Sequence, residues 1–218
     1  MTDHLDPARI GAVVFDFAGV LTSSPKAMMG EKASEVGLSF DKIAPIMMGP
    51  VDEDTDHPWH RVERGEIALE TFNELAGQMF RDAGLGDGPR PPSTADEMLS
   101  RLQPIPQMLD AALALRSAGY RTAILSNNVR EWSAWRGLIG ADDLVEVVID
   151  SSEVGMRKPS AEIFELTASR LDVETAACLM LDDFEWNIRG AERAGMQALH
   201  VTDPQVDGPA VVDLLVGD

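Results

Sequence analysis

Short apolar segments alternate with amphipathic segments along most of the chain. The apolar segments have the length and aliphatic content of buried strands, and they lie at residues 12–17, 122–126, 145–150, 177–181 and 197–201. Between them, apolar positions recur at helical spacing in residues 106–118, 160–171 and 187–194. Ser160 is suited to begin the second of these helices, and Gly195 follows the end of the third. Strands that alternate with helices predict an α/β fold with a doubly wound parallel sheet.

Residues 24–102 interrupt this alternation, because they contain no segment that is typical of a strand. The strongest helical pattern lies at 67–80, and its apolar stripe consists of Leu69, Phe72, Leu75, Ala76 and Met79. A loop rich in Gly and Pro follows at 86–92, and Ser93 is positioned to cap another short helix. We therefore expect a core made of residues 1–23 and 103–218, with a small helical cap at 24–102 inserted after the first strand. A short helix is expected at 211–216.

The charge balance excludes some classes of partner. The chain has 37 acidic and 18 basic residues, which give a formal net charge of -19, and this argues against nucleic acid or an anionic membrane surface. The only cysteine, Cys178, lies in an apolar run and cannot form an internal disulfide, which fits a reducing compartment. No segment resembles a signal-peptide core or reaches transmembrane length, so we expect a cytoplasmic protein.

Polar clusters follow four of the predicted strands. They are Asp16, Ser126-Asn127-Asn128, Arg157-Lys158-Pro159 and Asp182-Asp183, with Asn187 about one helical turn beyond the last. The carboxyl ends of parallel strands lie at one edge of a sheet, so these groups can converge. Carboxylates with oxygen-only partners suit Mg²⁺. A carboxylate nucleophile needs such a cation, and a lysine, to neutralise an anionic substrate, while Ser126 and Asn127 can donate hydrogen bonds to phosphoryl oxygens.

The order and spacing of these four clusters resemble the haloacid dehalogenase superfamily across essentially the whole chain. The resemblance implies a Rossmann-like core, Mg²⁺ as cofactor, and an aspartyl-phosphate intermediate on Asp16. It assigns phosphoryl binding to Ser126, Asn127 and Lys158. It assigns metal binding to Asp16, the carbonyl of Ala18, Asp182 and Asp183, with Asn187 in support.

Two segments are similar to one branch of that superfamily. They are residues 15–22 (FDFAGVLT) and residues 59–67 (WHRVERGEI). Both resemble the N-terminal phosphatase domain of soluble epoxide hydrolases and its single-domain bacterial relatives. This resemblance implies a small-molecule organic phosphate as the substrate.

Ala18 departs from the family pattern. The family's phosphatases carry an aspartate two residues after the nucleophile, where it protonates the leaving oxygen and then activates water. Ala18 can do neither, although its carbonyl can still bind a metal. A positioned general acid contributes about 10² to 10⁴ in rate. Substrates with good leaving groups, such as aryl or acyl phosphates, are least affected by its loss.

Three alternatives follow from Ala18. The first is a phosphatase that is slow or that takes a proton donor from the cap, for which the candidates are His57, His60 and Glu63. The second is another hydrolytic reaction, either dehalogenation or the carbon–phosphorus cleavage of phosphonoacetaldehyde hydrolases. The latter uses a cap lysine as a Schiff base, and the available lysines are Lys26, Lys32 and Lys42. The third is a fold retained for binding or regulation, with little turnover.

Overall fold

A parallel five-stranded sheet forms the centre of the protein, in a computed structural model that describes residues 5–92 and 94–217. Its strands are β1 (Ala12–Phe15), β2 (Arg121–Ser126), β3 (Val147–Asp150), β4 (Cys178–Asp182) and β5 (Gln197–His200). They lie in the order β3-β2-β1-β4-β5, and all neighbouring pairs are parallel. The chain passes from β1 to β2 and β3 on one side of the sheet and then crosses to β4 and β5 on the other, so the carboxyl ends of β1, β2 and β4 meet where such sheets bind ligands.

Both faces of the sheet are covered by helices, as expected for a doubly wound fold. Val13 and Phe15 of β1 belong to one apolar cluster with α6 (Pro106–Ser117) and α12 (Pro204–Val216). Ala12 and Val14 belong to a second cluster with α10 (Ala161–Leu171) and α11 (Glu185–Arg193). A strand that is buried on both faces has a continuous apolar sequence. This explains why the five strands were recognisable without an alternating pattern.

The strand ends differ slightly from the expected ones. β1 ends at Phe15 rather than at Phe17, and the next amide, Asp16 N–H, still donates to the Leu181 carbonyl at 2.9 Å. β4 begins at Cys178, because Ala177 belongs to the preceding 3-10 turn, and it ends at Asp182, one residue later than expected. The two site carboxylates therefore lie at the exit of neighbouring strands.

Between β1 and β2 the chain forms only helices within residues 24–92 and 94–102. They are α1 (Lys26–Glu35), α2 (Phe40–Met48), α3 (Pro58–Glu63), α4 (Leu69–Asp82) and α5 (Ala95–Leu99). α4 buries Leu69, Phe72 and Ala76 as expected, but Leu75 is 40% exposed and Met79 is only partly buried, while Phe80 is buried in the last turn. Ser93 lies outside the described residues. Thr94 caps α5 by accepting a hydrogen bond from Glu97 N–H at 3.2 Å.

Several short helices escape the sequence patterns. They are α7 (Trp135–Ile139), α8 (Ala141–Leu144) and α9 (Ser151–Val154), which are too short to show a helical period. The C-terminal helix α12 is longer than the expected 211–216, because Asp203 accepts from Gln205 N–H at 3.1 Å and Pro204 occupies the first turn. In the described parts of the chain, no helix combines the length and apolar character needed to cross a membrane.

Candidate active site

A buried lysine lies between two carboxylates at the edge of the sheet. Asp16 directly follows β1, Asp182 is the last residue of β4, and Lys158 lies in the loop between α9 and α10. The Lys158 Nζ is 2.8 Å from Asp16 Oδ1 and 2.6 Å from Asp182 Oδ2, and the lysine side chain is 1% exposed. The topology therefore brings three of the expected site residues into direct contact.

The loop that carries Lys158 is fastened by Asn127, which follows β2. The Asn127 Nδ2 donates to the Lys158 carbonyl at 2.9 Å, and Asn127 Oδ1 accepts from Lys158 N–H at 2.8 Å. Ser126 Oγ makes a single long contact of 3.4 Å with the Asn127 carbonyl, and Ser126 lines the adjoining cavity. Ser126 is thus placed to donate to a bound anion. Asn127 positions Lys158, and its direct role in phosphoryl binding stays a prediction.

Asp16, Asp182 and Asp183 form an acidic cluster. Their carboxylate oxygens lie within 4.8 Å of one another, and all three residues are buried. Asp182 Oδ1 accepts hydrogen bonds from Phe184 N–H at 2.9 Å and from Asn187 Nδ2 at 3.0 Å, whereas Asp183 Oδ1 is buried without a hydrogen-bond partner among the described residues. Asp183 therefore has an oxygen available for a cation. Asn187 acts through Asp182.

The surroundings of Asp183 fit a metal-binding carboxylate. Lys26 Nζ lies 3.0 Å from Asp183 Oδ2, and Ser24 Oγ donates to the same oxygen at 3.3 Å. Gly19 has a φ of 96°, and a Cβ at this position would lie 2.4 Å from the Asp183 carboxylate. Only glycine allows both this conformation and this approach. The free buried oxygen and the all-oxygen donor set suit Mg²⁺.

Burial and crowding of like charges raise the pKa values of Asp16 and Asp183. Burial raises the pKa of Asp16 to about 7, with Lys158 acting in the opposite direction and Asp182 and Asp183 adding to the increase. Burial also raises the pKa of Asp183, and Lys26 partly offsets this. For Lys158, burial lowers the pKa, but Asp16 and Asp182 outweigh it and raise the value to about 12. A bound divalent cation would favour the ionised form of Asp16.

A cavity of about 180 Å³ opens beside Asp16. Its walls come from the sheet edge and from the helical segment, and most of the lining residues are apolar, with many aromatic and methionine side chains among them. These include Met28, Met47, Trp59, Trp132, Trp135 and Trp186. Ala18 also lines the cavity. Its methyl group stands at the position, two residues after Asp16, where the sequence resemblance implies an aspartate. The cavity therefore has a charged end at Asp16 and Lys158 and an apolar remainder.

The three candidate proton donors are differently placed. Glu63 lines the cavity, but its Oε2 accepts from Arg157 Nε at 2.6 Å, and both side chains are buried. His60 is buried with Nε2 2.9 Å from the Met48 carbonyl, and burial lowers its pKa to about 4. Neither His57 nor His60 is among the described residues that line the cavity. The structure thus leaves Glu63, which is held in an ion pair, as the one of the three at the cavity wall.

The lysines proposed for Schiff-base chemistry are also accounted for. Lys26 pairs with Asp183, and Lys42 is exposed on α2. Lys32 lines the cavity, and its Nζ lies 3.1 Å from Glu97 Oε1. The lysines at the cavity wall within the described residues, Lys32 and Lys158, are therefore both paired with carboxylates.

Comparison with known proteins decides the family. The model of the haloacid dehalogenase-like hydrolases matches residues 10–195, which is most of the chain. The chain belongs to this family. The resemblance inferred from the four polar clusters is thereby confirmed, and this haloacid dehalogenase-like hydrolase has the fold expected of it.

Two curated relatives illustrate the range of this family. Phosphatase MT3486 of Mycobacterium tuberculosis (strain CDC 1551 / Oshkosh) is 30% identical, and the match covers 87% of this chain and 86% of that protein. Bifunctional epoxide hydrolase 2 of Sus scrofa is 29% identical over 88% of this chain and 36% of that protein. Some relatives are longer still, and the chain spans only 18% of one of them. Phosphatases and a haloacid dehalogenase are both among the similar proteins.

A solved structure of the same family has a similar fold. The enzyme from Bacteroides thetaiotaomicron, in complex with magnesium and inorganic phosphate, matches with a TM-score of 0.62 and 22% identity over 87% of this chain and 93% of that one. At this identity the likeness supports the fold of this hydrolase and nothing finer.

The sequence patterns missed part of the cavity wall. Trp132 belongs to the 3-10 turn Arg130–Trp132, and Trp135 begins α7. The available signal was their spacing, since two of the four tryptophans of the chain lie three residues apart immediately after the second polar cluster. The Glu63–Arg157 ion pair had no sequence signal, because 94 residues separate its partners.

Proposed function

We propose that this protein is a Mg²⁺-dependent phosphatase of small organic phosphates and that Asp16 is its nucleophile. One observation carries the proposal: the buried Lys158 ammonium lies 2.8 Å from Asp16 Oδ1, beside the free oxygen of Asp183. A carboxylate that attacks a phosphoryl dianion needs positive charge at this place. Similarity to a protein named as a phosphatase supports the assignment.

The proposed roles follow from the contacts. Asp16, the Ala18 carbonyl and Asp183 hold Mg²⁺, which neutralises charge on the phosphoryl oxygens when bound. Lys158 binds the phosphoryl group together with Ser126. Asp182 accepts from Lys158 at 2.6 Å and so orients the ammonium.

Residues 24–102 serve as the cap in this proposal. Met28 of α1, Met47 of α2 and Trp59 of α3 line the cavity beside Asp16. The organic part of the substrate therefore contacts the helical segment, while the phosphoryl group contacts the sheet edge.

The test is release of inorganic phosphate from phenyl phosphate with and without Mg²⁺. The wild type is expected to require Mg²⁺, and Asp16→Asn is expected to lose turnover while keeping its fold. Asp110→Asn, which changes an exposed carboxylate on α6, is the matched control and keeps full activity. Absence of turnover across a broad panel of phosphates at high enzyme concentration would overturn the proposal.

Dehalogenation is a second candidate, because displacement of a halide from carbon needs no proton donor beside the nucleophile, and Ala18 provides none. A haloacid dehalogenase is also among the similar proteins. The same preparation tests this reaction by chloride release from 2-chloropropionate without Mg²⁺. Chloride release without any phosphate release would favour this candidate over the phosphatase.

A further inference from the structure

Trp132 and Trp135 present carbon to the cavity rather than a free hydrogen-bond donor. The Trp132 Nε1 donates to the Pro92 carbonyl at 3.1 Å, and the Trp135 Nε1 donates to Asp150 Oδ2 at 3.0 Å, so both indole N–H groups are satisfied by the protein. The rings of Trp59 and Trp132 are tilted by 51° relative to each other, and their centroids lie 6.1 Å apart. Such walls attract an aromatic or aliphatic group and leave sugar hydroxyls without partners.

Several polar groups of the cavity wall are also paired within the protein, whereas Arg157 Nη1 and Asn187 Oδ1 are buried without a hydrogen-bond partner among the described residues. Glu63 binds Arg157, and the Asn128 Nδ2 donates to Asp150 Oδ2 at 2.8 Å. Lys32 is held by Glu97. Away from Arg157 Nη1, a polar substituent on the substrate's organic part would be desolvated without compensation, so this part is expected to be poor in hydroxyl groups.

The size of the cavity fits one aromatic ring. A cavity of roughly 150 Å³ with apolar walls admits benzene, and the cavity beside Asp16 measures about 180 Å³. The space is thus sufficient for a phenyl group whose phosphate lies at Asp16 and Lys158.

The leaving oxygen has no neutral acid beside it. Within the described residues, the titratable side chains at the cavity wall are Asp16, Lys32, Glu63, Arg90, Arg157 and Lys158. Apart from the exposed Arg90, whose guanidinium cannot give up its proton at neutral pH, these groups are in ion pairs. The phosphorus–oxygen bond must therefore break while the leaving oxygen is still unprotonated. A phenol, with a pKa of about 10, tolerates this far better than an aliphatic alcohol does.

We propose that the substrates are aryl monophosphates, an inference that rests on the proposed phosphatase function. Asp16 Oδ attacks phosphorus, the phosphorus–aryl oxygen bond breaks, and its electron pair leaves on the phenolate. Water then attacks phosphorus, the bond to Asp16 breaks, and the carboxylate and inorganic phosphate are released. The proton lost by that water balances the one that the phenolate takes up from solvent. Ala18 thus selects the leaving group, and the tryptophan walls select the ring.

A set of four substrates separates the leaving group from the shape. Phenyl phosphate is aromatic with a good leaving group, benzyl phosphate is aromatic with a poor one, acetyl phosphate is small with a good one, and glycerol 3-phosphate has neither property. We expect kcat/KM for phenyl phosphate to exceed that for benzyl phosphate by about 10²-fold or more, the contribution of a general acid. Benzyl phosphate turned over as fast as phenyl phosphate would overturn the leaving-group argument. Benzyl phosphate used no more efficiently than glycerol 3-phosphate, which has a similarly poor leaving group and no ring, would overturn the aromatic one.

Variants test the same point. Ala18→Asp is expected to raise kcat/KM for benzyl phosphate by tenfold or more, and Ala18→Asn, which has the same shape without the acid, is expected to leave it low. Trp132→Leu is expected to raise KM for phenyl phosphate and leave KM for acetyl phosphate unchanged. A series of substituted phenyl phosphates on the wild type needs no variant to fold: kcat/KM must fall steeply as the phenol pKa rises, and a flat series contradicts the proposal. Failure of every phosphate to react would instead remove the proposed function itself.

Discussion

The ion pair between Glu63 and Arg157 gives the sharpest stability prediction. Arg157 Nε lies 2.6 Å from Glu63 Oε2, and the two side chains are 6% and 10% exposed. Removal of one partner of a buried pair leaves an uncompensated charge and costs about 3 to 5 kcal/mol. Glu63→Gln and Arg157→Met are therefore each expected to lower the free energy of unfolding by about that amount. For a chain of this length, the corresponding decrease in Tm is roughly 6 to 20 °C.

Urea denaturation of both single variants and of the double variant measures the coupling. Glu63→Gln/Arg157→Met removes both charges, so its loss of stability is expected to be well below the sum of the single losses. Glu31→Gln is the matched control, because its pair with Arg101 lies at 3.1 Å with side chains 67% and 42% exposed. An exposed pair of this kind contributes about 0 to 1 kcal/mol. Additive losses in the double variant, or equal losses at Glu31 and Glu63, would refute the reasoning.

The same variant separates a structural role of Glu63 from a catalytic one. In the structure, Glu63 forms an ion pair with Arg157 and is not a free acid. Arg157 is the residue that precedes Lys158. Glu63→Gln is therefore expected to keep the steep dependence of kcat/KM on the phenol pKa. A proton-donor role would be revealed if the alkyl phosphates alone lost activity in this variant.

Three further predictions concern the acidic cluster and the helical segment. Gly19→Ala places a Cβ 2.4 Å from the Asp183 carboxylate at a φ of 96°. We expect Mg²⁺ to bind more weakly, as measured by calorimetry. We also expect the free energy of unfolding to fall by about 1 to 2 kcal/mol from the backbone conformation alone. Gly30→Ala, with no atom within 4 Å of the new Cβ, is its control and should bind Mg²⁺ normally. Lys26→Met removes an ammonium 3.0 Å from Asp183 Oδ2 and is expected to tighten Mg²⁺ binding up to about fivefold, the worth of a half-exposed pair; unchanged or weaker binding would contradict this. The pKa of His60 is lowered to about 4 in the folded protein. The unfolded chain therefore binds the proton more readily, and the free energy of unfolding falls as the pH is lowered from 6.5 to 4, by up to about 3 kcal/mol. Urea titrations over this range should show that the free energy of unfolding depends more steeply on pH in the wild type than in His60→Gln, and equal pH dependence would count against the argument.

Much of the fold was predictable because its signals are local. β1 and β4 are buried at every position, so each is a largely apolar run in the sequence. Three of the polar clusters directly follow such a run, the fourth lies in the loop after the third strand, and parallel strands carry their carboxyl ends to one edge. The topology brings the Lys158 loop to the same edge as Asp16 and Asp182, and the hydrogen bonds of Asn127 hold it there.

Other features depend on contacts that no local pattern encodes. The Lys26–Asp183 pair joins residues 157 apart in the chain, and the Glu63–Arg157 pair joins residues 94 apart. Leu75 falls on the apolar stripe of α4 by spacing, yet it is 40% exposed and belongs to neither apolar cluster of the described residues. The sequence also could not show which of the two aspartates keeps an oxygen without a hydrogen bond. That depends on Asn187, which donates to Asp182 and not to Asp183.

The central claim is that Asp16 accepts a phosphoryl group from an organic phosphate. The direct measurement is rapid acid quench of the protein with phenyl phosphate and Mg²⁺, followed by mass spectrometry of its peptides. The peptide that contains Asp16 is expected to gain the mass of one phosphoryl group within the first turnover, and Asp16→Asn is expected to show no such gain. Steady release of phosphate with no adduct at any time, or an adduct on another residue, would contradict the account.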